Sequence, residues 1–147
     1  MKKSDNNKKI IIRKAGMQNV KELMRLYSFL SSGYKENLKP IKMAFGFCAT
    51  DIYITKIKTK VIGTFTLSYR VVPSFGKVVY IDNVVVDPDF RGLGIGKALI
   101  LECLKIAKKN RCKRAELTSN KNRDRANKIY ISIGFKKRDT NCYLYNL

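Results

Sequence analysis

The stretch from Tyr80 to Leu101, YIDNVVVDPDFRGLGIGKALIL, constrains the fold of this chain more than any other. Ile81 to Val86 has the β-branched density of a buried strand. Asp87-Pro88-Asp89 stops it, because proline has no ladder donor and aspartate favours turns. Arg91-Gly92-Leu93-Gly94-Ile95-Gly96 follows and opens onto a helical segment, Lys97 to Lys109. Glycines at the mouth of a helix let backbone N–H groups approach a ligand closely, and the helix terminus adds partial positive charge. The stretch therefore predicts a site for a phosphate-bearing cofactor.

The rest of the chain must supply a sheet and helices around that unit. Its 147 residues predict one domain over residues 10–147, preceded by a flexible basic tail over residues 1–9. Ile10 to Lys14 reads as a first strand and Met17 to Leu30 as a helix, with Val20, Leu23, Met24, Tyr27 and Leu30 at three- and four-residue steps. Ser31-Ser32-Gly33 ends that helix, and a second one starts at Pro40. Asp51 to Ile57 and Val61 to Val72 form a hairpin, and Lys77 to Val86 is the next strand. Beyond the long helix come a strand from Arg114 to Ser119, a helix from Arg125 to Ile133 ended by Gly134, and two short strands, Phe135 to Arg138 and Cys142 to Asn146. The fold class expected is α/β (α+β): a mixed, mostly antiparallel sheet of about seven strands flanked by about four helices.

Composition narrows the chemistry. The chain has no histidine, and Cys48, Cys103, Cys112 and Cys142 lack metal-ligand spacing, so no metal site is expected and the cysteines read as reduced thiols in a cytoplasmic setting. No apolar run is long enough for a membrane span, and no signal peptide is expected. The net charge is +20, carried by 22 Lys and only 9 Arg alongside 15 Ile and 11 Asn. That profile fits AT-rich coding better than a nucleic-acid partner, which would favour arginine and interleaved aromatics.

Three glycine-loop patterns compete for the phosphate. A P-loop needs a glycine where Arg91 stands and a hydroxyl where Ala98 stands. A dinucleotide loop needs GxGxxG, and Gly92-x-Gly94-x-Gly96 is one residue short. Arg-x-x-Gly-x-Gly is met by Arg91, Gly94 and Gly96.

With that third pattern, VVVDPDFRGLGIGKALI resembles the central acetyl-CoA motif of the GNAT superfamily, the Gcn5-related N-acetyltransferases, and ANKIYISIGF resembles its later motif. The likeness runs from about Tyr80 to Arg138 and is topological before that. It implies acetyl-CoA as cosubstrate, its pyrophosphate cradled by backbone N–H groups of Arg91, Gly92, Leu93, Gly94, Ile95, Gly96 and Lys97. It also implies that Val84, Val85 and Val86 lie beside the pantetheine arm, where a bulge or splay in the sheet makes room for the thioester. Lys97, Arg123, Arg125 and Lys128 are candidates for the ADP phosphates, and Asn122 and Asn127 for the pantetheine or nucleotide. Tyr130 is the candidate general acid, although its place on an apolar helix stripe also suits a core residue. Asp82 is the candidate base; strand alternation puts it on one face with Val84 and Val86.

The expected reaction is transfer of an acetyl group to a primary amine by direct attack in a ternary complex. The acceptor is a small-molecule or peptide amine, and small or anionic acceptors suit the charge better than cationic ones. A homodimer through the C-terminal strands is a candidate assembly. The alternative is an acyl-CoA-binding module without turnover, or a basic nucleic-acid or ribosome-associated protein.

Overall fold

The computed structural model describes residues 9–30 and 33–147. The expected tail over residues 1–9 lies outside the described residues except for Lys9, as do Ser31 and Ser32. The elements are β1 (Ile10–Lys14), α1 (Val20–Tyr27), α2 (Leu38–Gly46), β2 (Thr50–Ile57), β3 (Lys60–Val72), β4 (Gly76–Val86), α3 (Ile95–Lys109), β5 (Arg114–Glu116) and α4 (Asp124–Ile133), with short 3₁₀ turns at Met17–Asn19 and Pro88–Phe90.

Helix boundaries follow local chemistry. The helix expected from Met17 opens as the 3₁₀ turn and becomes α-helical only from Val20. The α2 helix starts two residues before Pro40, because the Asn37 side chain accepts the Lys39 amide at 2.9 Å and caps it there. At the end of α4, Gly134 adopts φ +108°, and the Gly134 and Phe135 amides return to the carbonyls of Ile131 and Tyr130.

The five strands lie in sequence order, β1-β2-β3-β4-β5, antiparallel up to β4 and parallel between β4 and β5. One face packs α3 and α4, through Leu99, Ile100, Cys103 and Tyr130, over Phe65, Leu67, Val79 and Ile81. The other packs α1 and α2 over Ile52, Ile54, Val61 and Val85. A sheet covered on both faces needs apolar residues at nearly every central position, hence the unbroken burial from Val61 to Leu67.

Two irregularities in β4 prepare the site. Thr66 pairs with Asp82 but Thr64 pairs with Val85, so Asn83 and Val84 together oppose Phe65. This is a bulge, and Asn83 takes a positive φ of 51° to make it. The second irregularity is a loss of partner. The ladder with β5 runs only from Val78 to Tyr80, which leaves Ile81 to Val86 without a strand on that edge.

Among the described residues the sheet has five strands, not about seven. Residues 117–119 leave the expected strand, and neither Phe135–Arg138 nor Cys142–Asn146 forms one. With three residues, β5 offers too short a template for a further hairpin. Lys136, Lys137 and Arg138 are all exposed, and only Phe135 packs on the core. The C-terminal strands on which a homodimer was expected are therefore not part of this sheet.

Asp87 fixes the exit from β4. Its buried carboxylate accepts from Arg25 at 2.8 Å and from the Asp89 amide at 3.1 Å, with Lys60 at 3.8 Å. Burial alone would raise its pKa, but the Arg25 and Asp89 hydrogen bonds and the charges of Arg25 and Lys60 prevail and hold it below the usual range. A depressed carboxylate pKa stabilises the fold above the unfolded value of about 3.9, and that contribution is lost as pH falls through the folded value. Asp87→Asn should cost about 2 kcal/mol at pH 7, lowering the melting temperature by roughly 4–8 °C. The gap to the native chain should close below about pH 4 in thermal melts; a gap constant from pH 7 to 3 would contradict this role.

Candidate functional site

A cleft of about 800 Å³ opens where β4 parts from β5. Its walls are Val84, Val85 and Val86 of β4, the loop from Phe90 through Gly92, the first turn of α3, and the 122–130 segment that enters α4. That size falls within the range of about 300–1,000 Å³ typical of ligand sites.

The glycine loop meets the physical requirements for an anion. Gly92 and Gly94 take φ of +81° and +76°, and a Cβ at either would meet no heavy atom within 4 Å. The first turn of α3 has no side-chain cap, and the first intrahelical bond runs from the Ala98 amide to Gly94. The amides just before Ala98 are thus left without intrahelical acceptors at the positive end of a fifteen-residue helix. Lys97, Arg123, Arg125 and Lys128 add cations to the same cleft. These features fit a pyrophosphate, and the unpaired β4 edge fits an extended amide-bearing chain.

Of the residues singled out by sequence, Val84, Val85, Val86, Arg91, Gly92, Gly94, Ile95, Gly96, Lys97, Asn122 and Tyr130 line this one cleft. The Arg91 side chain turns back, its Nε donating to the Val86 carbonyl at 3.1 Å. Leu93 and Asn127 do not line the cleft; Leu93 is exposed, and the Asn127 amide donates to the carbonyls of Asn120 and Lys121 at 3.1 and 3.3 Å. Asn127 thereby ties down the loop carrying Asn122 and Arg123.

Tyr130 is buried between α3 and the sheet, with Phe135 edge-on at 6.0 Å, and still reaches the cleft. Burial raises its phenol pKa, and the charge of Arg123 opposes only part of that rise.

Asp82 differs from expectation in its face. The bulge reverses the alternation after Asn83, so Asp82 shares the α1/α2 face with Val85, while Val84 and Val86 pack on the α3/α4 side. Its cross-strand neighbour is Thr66, whose hydroxyl is buried without a hydrogen-bond partner. Half-burial raises the Asp82 pKa through desolvation.

Phe29, Leu30, Phe90, Ile100 and Ile129 also line the cleft, and the sequence did not mark them. Phe29 and Leu30 read as the end of a core helix. They extend the cleft to the α1 side because α1 stops at Tyr27. No group of three or more His, Cys, Asp or Glu that could hold a metal occurs among the described residues, and none of their helices is long and apolar enough to cross a membrane.

The profile of the acetyltransferase (GNAT) family matches residues 19–135. A glucosamine 6-phosphate N-acetyltransferase of Trypanosoma brucei brucei is 30% identical over 94 residues, 61% of this chain and 60% of that protein's length. A predicted acetyltransferase from Clostridium acetobutylicum, solved with acetyl-CoA, superposes with a TM-score of 0.76 at 19% identity, covering 92% of this chain and 96% of that one. An aminoglycoside acetyltransferase from an uncultured soil metagenomic sample superposes with a TM-score of 0.81 at 17% identity, covering 94% and 96%.

Proposed function

The chain belongs to the acetyltransferase (GNAT) family, and we propose that it transfers an acetyl group from acetyl-CoA to a primary amine by direct attack in a ternary complex. One observation carries this reading: β4 loses its strand partner beyond Tyr80, where the cleft meets the uncapped terminus of α3.

Acetyl-CoA, when bound, supplies an activated acyl thioester. The backbone amides from Gly92 to Lys97 hold the pyrophosphate, and Lys97, Arg123, Arg125 and Lys128 offset its charge. The free edge from Ile81 to Val86 offers amides and carbonyls to the pantetheine arm, and the valines exclude water from it. Tyr130 carries its proton at neutral pH as any phenol does, and burial shifts its pKa further up, so its phenol oxygen would be the donor to the departing thiolate. Asp82 takes the proton from the acceptor ammonium, directly or through water, from the α1/α2 side of β4. That division of faces, with Phe29 and Leu30 lining the cleft, supports acceptor entry from the α1 side.

The raised pKa of Asp82 fixes the sign of the pH dependence. A base works when deprotonated, so kcat/KM should fall on the acid side of that raised value. Asp82→Asn should lower kcat/KM by about 10²-fold and remove the acid limb of the profile. An unchanged limb would exclude Asp82 as the base.

The acceptor is a small-molecule or peptide amine. The curated relative makes glucosamine 6-phosphate the first acceptor to try, and the structural neighbour adds aminoglycosides. Release of the coenzyme thiol across a panel of amino sugars, aminoglycosides, polyamines, amino acids and peptides tests the reaction. Turnover with at least one amine supports it; acetyl-CoA binding without turnover on any would favour a module that only binds the cofactor.

A further inference from the structure

The half of the α1/α2 face of the sheet beyond those helices carries a second chemistry, on rows that begin two residues before Asp82. Val78 at its centre is fully buried, and the arginines on either side of it are exposed. Arg70 of β3, Val78 of β4 and Arg114 of β5 stand in one cross-strand row, and Ser68, Tyr80 and Glu116 in the next. Cross-strand partners share a face, so two arginines and a tyrosine lie on one surface. The α1 and α2 helices cover the other half, over Ile52, Ile54 and Val85. Arg70 Nη2 lies 2.7 Å from Glu116, Arg114 Nη1 lies 3.3 Å from it, and Arg138 Nη1 lies 3.4 Å from it. Three guanidiniums thus share one carboxylate, the only acid paired with them among the described residues. Arg114 also stacks on Phe75, 3.6 Å from its ring centroid.

The balance of this cluster is unlike that of a structural ion pair. One carboxylate accepts a few of the fifteen or so N–H donors that three guanidiniums carry, about five each. Two positive charges remain in surplus, on side chains that are exposed. The coding bias that accounts for 22 lysines does not account for three of the 9 arginines meeting at one glutamate. Along β4, Tyr80 is the member of this surface nearest the cleft; four residues, roughly 13 Å, separate it from Val84, which packs on the opposite face of the sheet.

We propose that this face, formed by Arg70, Arg114, Arg138, Phe75 and Tyr80, binds single-stranded nucleic acid, the arginines holding phosphates and the rings offering surfaces to bases. Exposed guanidiniums beside part-exposed aromatic rings on a sheet face suit a chain that alternates phosphates with flat bases. An acidic peptide would use the charges but leave the rings idle.

The test is fluorescence anisotropy of a fluorescein-labelled oligouridylate against the full chain over a range of KCl concentrations. Binding should weaken linearly in log–log form with salt. Arg70→Gln/Arg114→Gln should weaken it about tenfold at moderate salt and make the slope shallower by roughly 1.4, about 0.7 for each lost phosphate contact. Lys105→Gln/Lys109→Gln removes equal charge from the exposed side of α3 and should change binding by less than about twofold. Both variants should keep the native rise in melting temperature with acetyl-CoA, which separates this result from the fate of the proposed acetyl transfer. Equal losses from the two pairs would reduce the effect to net charge and overturn the proposal. So would absence of binding at low salt, or polyglutamate competing as well as unlabelled oligonucleotide.

Discussion

Replacing Gly94 with glutamate is expected to abolish the rise in melting temperature that acetyl-CoA gives the native chain. At a concentration 100 times its dissociation constant, a ligand that binds only the folded state stabilises it by about 2.7 kcal/mol. For a chain of this size that is a shift of roughly 5–10 °C. Gly94 caps α3 at φ +76°, and a side chain there would stand in open space at the cleft wall, beside the amides left free at the helix terminus. A carboxylate in that position competes for the amides and repels a pyrophosphate. Any residue other than glycine also pays roughly 1–2 kcal/mol for the left-handed backbone. Gly94→Ala carries that strain without the charge, so it should melt lower than the native chain but keep most of the acetyl-CoA shift. Equal loss of the shift in both variants would assign the effect to backbone distortion. A full shift in Gly94→Glu would move the pyrophosphate away from α3.

Tyr130→Phe is the second large effect. The substitution keeps the ring that packs between α3 and the sheet, and its edge-on contact with Phe135. It removes only the phenol oxygen. Loss of a general acid should lower kcat by about 10²-fold or more while the KM for acetyl-CoA changes little. The melting temperature should change by no more than a few degrees, since the packing surface is preserved. A kcat within twofold of native would make Tyr130 a core residue, the reading its apolar stripe also allowed.

The glycine loop was the most legible part of the site. A strand, a proline stop and closely spaced glycines before a helix dictate positive φ and an uncapped helix terminus, whatever surrounds them. Gly92 and Gly94 adopt those angles, and α3 begins at Ile95, two residues before the expected start at Lys97. The bulge in β4 was not legible in the residues themselves. One extra residue opposite Phe65 is a matter of pairing, and nothing in Asp82-Asn83-Val84 announces it. It moved Asp82 to the other face of the sheet. The loss of two C-terminal strands has a similar origin. Only Phe135 in the stretch to Arg138 favours a strand, and a strand also needs a neighbour, which a three-residue β5 does not provide. Leu30 kept the right periodicity for a core helix, and only the early end of α1 put it, with Phe29, at the cleft.

The central claim is that the gap between β4 and β5 holds acetyl-CoA. Calorimetric titration of acetyl-CoA into the native chain tests it most directly. One site per chain is expected, competed by free coenzyme A and lost in Gly94→Glu. Absence of saturable binding up to millimolar acetyl-CoA, or an undiminished isotherm in that variant, would contradict it.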